Sequence, residues 1–267
     1  MTYETKQDIL NRVKEHYDSI DLPDYRKFGV VLMGSQNYKL HDKNSDIDTK
    51  AIILPSLEEL ALNKQPLSHL KIQSNDEHTD LKDVRLFINS YKKQNPNMLE
   101  TLYTEYLYIN PIYKEFWDNL VIKRDNIVRL DEKRAINAII GMIYEKQKAL
   151  CHPYPTLIDK INKYGYDGKQ LSHAIRLEIM LKYYIDGESY AKGLMEFDND
   201  TKQYLIDVKR NKLFDKERAI EEMDKVLNSA LSYRELAQPN QLNEDVSDYL
   251  DNWLVSLLKF ALKKELE

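Results

Sequence analysis

The stretch MGSQNYKLHDKNSDIDTK, residues 33–50, decides how the chain is read. It follows the apolar run Phe28 to Met33 and leads into a second, Ala51 to Leu54. Two β-rich segments, 27–33 and 46–54, therefore flank a polar, turn-forming loop. Side chains alternate across a strand, so Asp46 and Asp48 share a face and repel. A divalent cation that prefers oxygen turns such a pair into ligands, and the expected ion is Mg²⁺ or Mn²⁺. Gly34 and Ser35 suit the same purpose: glycine lets the backbone approach a phosphate, and the hydroxyl and nearby amides can donate to it. An Asp-x-Asp after Asn-Ser is by itself a solvated edge or an Asx turn; the Gly-Ser pair changes that reading.

Composition sets the frame. The chain has 267 residues, 42% of them hydrophobic, with seven Gly and eight Pro, enough for a core and for one or two domains. The opening MTYETKQDIL lacks a secretion core and no run reaches membrane-span length, which implies a soluble, cytoplasmic protein without membrane partners. A single cysteine, Cys151, excludes an intrachain disulfide and a thiolate metal framework. The net charge of −5 provides no general basic field, yet Val121 to Leu177 carries eleven Lys and Arg against six Asp and Glu. That segment can hold a polyanion locally.

Periodicity assigns the elements. Thr2 or Thr5 caps a first helix carrying Ile9, Leu10, Val13 and Tyr17. Ser56 opens a short helix, a third strand spans His69 to Asp80 with Asp80 at its end, and Lys82 to Lys93 is helical. Beyond Asn95-Pro96, helices are expected at 98–102, 112–120, 132–150, 170–185, 216–236 and 246–264. The fold class is α+β: a small mixed-sheet domain, 1–109, followed by an α-helical bundle, 110–267, with a cleft where they meet.

Gly34-Ser35, followed by Asp46-Ile47-Asp48 twelve residues after the glycine, resembles the signature of the DNA polymerase β-like nucleotidyltransferase superfamily. In that superfamily the DxD binds two metal ions, and a third carboxylate on a later strand completes the site. GSQNYKLHDKNSDIDTKAIILPSLEEL, NDEHTDLKDVRLFINSYKKQNPNMLETLYTEY and CHPYPTLIDKINKYGYDGKQLSHAIRL are similar to bacterial and phage nucleotidyltransferases related to the RNA-repair polymerase β family. The resemblance covers about residues 28–190 and departs at Lys39, where relatives carry Gly. It implies a palm-like catalytic domain, NTP as substrate, Asp46 and Asp48 as metal ligands and Ser35 as a triphosphate contact. It implies Asp80 as the third carboxylate, with Asp76 and Glu77 as rivals and Asp83 less suited, and Gly34 and Asn37 beside the nucleotide.

The remaining polar clusters each have a plain reading. Lys82 and Arg85, three apart at a helix start, are a solvated face or contacts to triphosphate or acceptor. Lys148 and His152 end a long helix, where cations suit the dipole, and are nucleotide-contact candidates. Lys169, His173 and Arg176 recur at i, i+4 and i+7, one face able to offer three donors to phosphates. Tyr38, Tyr154 and Tyr166 are candidates to stack a base. The resemblance implies transfer of a nucleoside monophosphate to a hydroxyl, with an RNA or tRNA end favoured as the acceptor. Alternatives are nucleotidylation of a protein or small molecule, or a noncatalytic nucleotide-binding module.

Overall fold

The structure, a computed structural model, describes residues 5–23, 25–41, 45–73 and 77–266. Its elements in chain order begin with α1 (Lys6–Asp18), β1 (Arg26–Met33), β2 (Asp48–Leu54), α2 (Leu57–Ala61), β3 (Ser68–Ile72), β4 (His78–Asp83) and α3 (Val84–Lys92). They continue with α4 (Pro96–Leu99), β5 (Leu107–Ile109), α5 (Lys114–Ile122) and α6 (Arg124–Ile127). The rest is helical: α7 (Glu132–Ala149), α8 (Ile158–Tyr164), α9 (Gly168–Ile185), α10 (Tyr190–Leu194), α11 (Asn199–Lys209), α12 (Lys216–Leu236) and α13 (Glu244–Leu266). Mixed α+β character and a five-stranded mixed sheet agree with the expected class. No helix among the described residues is long and apolar enough to cross a membrane.

Contacts divide the chain into two compact units, residues 1–130 with 242–267, and residues 131–241. The expected boundary at 109 lies inside the first of these.

In the first unit the sheet order is β3-β4-β2-β1-β5. Only β2 and β4 run parallel, and α2 and β3 supply the longer connection that a parallel pair needs. Thr5 caps α1 through a reciprocal capping box with Asp8; Thr2 lies outside the described residues. Ile9, Val13 and Tyr17 of α1 are buried against Val30, Leu32, Ala51 and Leu81, one face of the sheet. On the opposite face Ile52 and Leu54 are also buried, whereas Asp48 is exposed and Lys50, His78 and Asp80 are half-buried. The sheet thus keeps one accessible end on one face.

Helix α13 belongs to this unit. Trp253 lies among Phe28 and Phe116, its indole donates to the Phe116 carbonyl at 2.8 Å, and Leu250, Leu257 and Ala261 are fully buried. Burying an aromatic or aliphatic side chain of this size stabilises by about 1.5–3 kcal/mol, which holds the apolar face of α13 on this unit.

The second unit centres on α9, which packs on α7, α10, α11 and α12 and buries Leu171, Ala174, Leu177 and Leu181. Gly168 is required at its start: a Cβ there would stand 2.2 Å from the Val208 carbonyl oxygen.

Two expectations fail. His69 to Asp80 is not one strand but parts of two, β3 and β4, paired antiparallel. The strand β4 also runs on through Asp83, so Asp80 is internal to it and Lys82 is a strand residue rather than the start of a helix. Leu81 and Asp83 keep the buried alternation of the strand going, and Asp83 then caps α3.

Candidate active site

Strand β1 ends beside the start of β2, with Met33 opposite Asp48. The chain turns away at Gly34, whose φ of +88° lies in the region that glycine tolerates best. Backbone bonds from Asn37 to Gly34 (3.0 Å), Lys39 to Gln36 (3.3 Å) and Leu40 to Ser35 (3.0 Å) coil the following segment tightly. Lys39 adopts φ +58°, so the position that departs from the resembled pattern does require the left-handed region and holds a lysine there.

Three buried polar side chains fix this turn. Glu100 accepts from the Gly34 amide at 3.0 Å and from the Tyr38 hydroxyl. Asn37 donates to the Leu32 carbonyl (3.1 Å) and accepts from Thr104 (2.7 Å). Gln36 donates to the Asp46 carbonyl at 2.7 Å and thereby ties the glycine turn to the aspartate segment. The Ser35 hydroxyl, half-exposed, makes one long 3.5 Å contact to Gln36. Asn37, expected beside the nucleotide, has both ends of its amide engaged within the protein. Tyr38 is buried on Glu100 and Tyr166 is buried in the second unit; Tyr154 is exposed, edge-on to His152.

Asp46 and Asp48 are exposed and Ile47 between them is fully buried; β2 begins only at Asp48, so the strand expected from residue 46 starts two residues later and Asp46 lies in the segment leading into it. Asp48 accepts from the His78 amide at 3.1 Å, with the His78 ring nitrogen 3.4 Å away. The parallel register Lys50 to Asp80 places Asp80 on the face of Asp48. Its carboxylate meets Lys50 at 2.8 Å and Lys82 at 3.2 Å.

Glu77 faces the other way. It is buried, accepts from Arg12 (2.6 Å), contacts the His16 ring (3.0 Å) and receives the Ile47 amide (3.3 Å). His16 also meets the Thr49 hydroxyl at 2.9 Å, and Thr49 meets Thr79 at 3.1 Å. This polar network underlies the backbone between the two exposed aspartates, and of the two rivals to Asp80 it removes Glu77 from their face. Asp76 lies outside the described residues. Asp83 is fully buried and paired with Arg85 (2.9 and 2.6 Å), which raises the pKa of the guanidinium. Arg85 is therefore committed to the cap of α3, whereas Lys82 stays on the carboxylate face.

The donor set suits a divalent cation at the level of a pair. Two exposed carboxylates two residues apart match the oxygen preference of Mg²⁺ or Mn²⁺. Among the described residues no group of three or more His, Cys, Asp or Glu converges as a metal site, and Asp80 is paired with Lys50 and Lys82.

The other expected residues lie in the second unit: Lys148, His152 and Lys169 exposed, His173 half-buried, Arg176 buried. Cys151 is half-buried, and burial pushes its thiol pKa up, the opposite of an activated nucleophile. Sequence reasoning missed Gln36 and Glu100. An acid inside the apolar run Met98 to Leu102 was the available signal for Glu100.

No family model matches the chain, and no curated protein matches it. Among solved structures it is similar to a nucleotidyltransferase-like protein from Exiguobacterium sibiricum 255-15, at 9% identity and a TM-score of 0.31. That similarity covers 84% of this chain and 72% of the other.

Proposed function

We propose that the chain is a metal-dependent nucleotidyltransferase of the polymerase β-like kind. It moves a nucleoside monophosphate from an NTP to a hydroxyl on an RNA or tRNA end and releases pyrophosphate. The observation that carries this reading is the pair of exposed aspartates, Asp46 and Asp48, on the open end of the sheet, joined through Gln36 to the Gly34-Ser35 turn.

Asp46 and Asp48 would hold Mg²⁺ or Mn²⁺, which would supply charge neutralisation for the triphosphate and for the attacking hydroxyl. The Ser35 hydroxyl orients the phosphates from the adjoining turn. Asp80, exchanged from Lys50 and Lys82, is the third carboxylate, which as base or metal-linked group helps take the proton of the acceptor hydroxyl. The acceptor oxygen bonds to the α-phosphorus, the bridge to the β-phosphate breaks, and pyrophosphate leaves with that electron pair. Lys50 and Lys82, released from Asp80, neutralise the leaving group.

The pairing of Asp80 with two lysines supports a second reading, a nucleotide-binding module without turnover. Label transfer separates the two. Purified protein receives each α-labelled NTP with Mg²⁺ or Mn²⁺ beside RNA, cell protein and small-molecule extracts. Label in RNA supports the proposal. Label only in protein or small molecules replaces the acceptor, and nucleotide binding without transfer to any pool favours the module.

A further inference from the structure

Four contacts within the second unit gather its cations at one place. The Asp167 amide donates to the Leu150 carbonyl at 2.8 Å, joining the end of α7 to the start of α9. Lys146, one helical turn before Leu150, is thereby brought beside α9. At the same end Gly168 approaches the Val208 carbonyl, and Asn211 bonds both the Gly168 amide (3.3 Å) and the Tyr166 carbonyl (3.0 Å). These draw the last turn of α11, with Lys209, onto the first turn of α9. Lys169, His173 and Arg176 follow along one face of α9 itself.

The cluster is strongly positive and partly withdrawn from water. Arg176 is 4% exposed, His173 and Lys146 are half-buried, and Lys169 is exposed at the rim. Burial, then Arg176, Lys146, Lys169 and Lys209, hold the His173 imidazole well below its ordinary pKa. Burial lowers Lys146 as well; Lys169 and Arg176 add to that, against Glu145 and Asp167. Asp167 is already engaged, accepting from the Lys169 amide (3.0 Å), the Gln170 side chain (3.1 Å) and Lys160. The first turn of α9 carries no acid and places Lys169 where the helix dipole itself is positive. A fold gains nothing from gathering like charges at half-buried positions, whereas an incoming anion relieves their repulsion.

We infer that the second unit holds a binding site for a terminal phosphate or polyphosphate group, built by Lys169, His173 and Arg176 of α9 and completed by Lys146 of α7. Withdrawn Arg176 and His173 suit an end group that enters and is desolvated, while a continuous nucleic-acid backbone needs a line of exposed cations. A nucleotide and a 5′-phosphorylated RNA end offer this same chemistry. The inference stands apart from the proposed transfer reaction, since none of its residues is a carboxylate of the first unit.

The test is calorimetric titration with inorganic tripolyphosphate in EDTA, on wild type, Asp46→Asn/Asp48→Asn, Lys169→Gln and Lys146→Met. Lys169 is exposed, so its replacement leaves the fold intact, and thermal melts check the others. Wild type and the double aspartate variant are expected to bind alike, with Lys169→Gln and Lys146→Met about tenfold weaker. A 5′-phosphorylated RNA oligonucleotide is expected to bind more tightly than its 5′-hydroxyl counterpart, and a nucleoside triphosphate to compete. No binding by wild type overturns the inference, as does equal binding by both lysine variants. Loss in the aspartate variant assigns the anion to the first unit, and equal binding of the two RNAs assigns the surface to backbone phosphates; either also overturns it.

Discussion

Lys50 holds Asp80 across neighbouring parallel strands, nitrogen to carboxylate oxygen at 2.8 Å, on the face that also carries Asp48. Asp80 therefore joins a metal only by exchanging a lysine for it. Lys50→Met is expected to raise Mn²⁺ affinity in the nucleotide-free protein by up to about fivefold, since a partly exposed pair contributes up to about 1 kcal/mol. Electron paramagnetic resonance of free Mn²⁺ measures this, and unchanged affinity would remove Asp80 from the metal set.

Lys39, at φ +58°, occupies a position that favours glycine. Lys39→Gly is expected to stabilise the first unit by about 0.5–1 kcal/mol, the strain relieved less the extra chain entropy of glycine. Lys39→Ala keeps the Cβ and brings no gain. Urea midpoints of the two variants decide it, and equal midpoints would refute the strain.

Glu77 is 1% exposed and joins Arg12, His16 and the Ile47 amide. Removing one partner of a buried charged network leaves the others uncompensated, so Glu77→Ala is expected to cost about 3 kcal/mol or more. Glu77→Gln, which keeps an acceptor for the Ile47 amide, costs less. Were Glu77→Ala as stable as wild type in thermal melts, the network would not be what supports the aspartate segment.

His173 gives the second unit a pH dependence. Its imidazole lies well below its ordinary value in the folded state, while the unfolded chain titrates near the usual value of about 6.5. Below that pH the unfolded state binds more protons, so the contribution is full above about pH 6.5 and is lost as the pH falls. His173→Gln is expected to flatten the melting temperature between about pH 6.5 and 5. An equally steep profile in that variant would place the dependence elsewhere.

What was legible in the sequence is what local pattern controls. Helix α12 spans 216–236, as its uninterrupted 3.6-residue stripe indicates, and β1 and β2 follow the two apolar runs around the loop. Hidden were features set by partners distant in sequence. The segment from His69 to Asp80 contains no glycine or proline, so the only local mark of the change from β3 to β4 is the polar Ser74-Asn75-Asp76. The short helices α8, α10 and α11 bury few residues each and leave a weak period. In the site, alternation indicated the exposure of Asp46 and Asp48 about a buried Ile47, although the strand itself begins only at Asp48. The pairing of Asp80 with Lys50 depends on the parallel register, and the burial of Asn37 depends on Thr104, neither of which a single strand's pattern contains.

The proposed transfer requires Asp46 and Asp48 to hold its metal. The most direct measurement is α-phosphate label transfer by Asp46→Asn and Asp48→Asn beside wild type, with thermal melts of the metal-free proteins. Transfer is expected to fall at least about a hundredfold in each variant, with metal-free stability unchanged or slightly raised as the like-charge repulsion is removed. Transfer at wild-type rate in either folded variant would contradict the assignment.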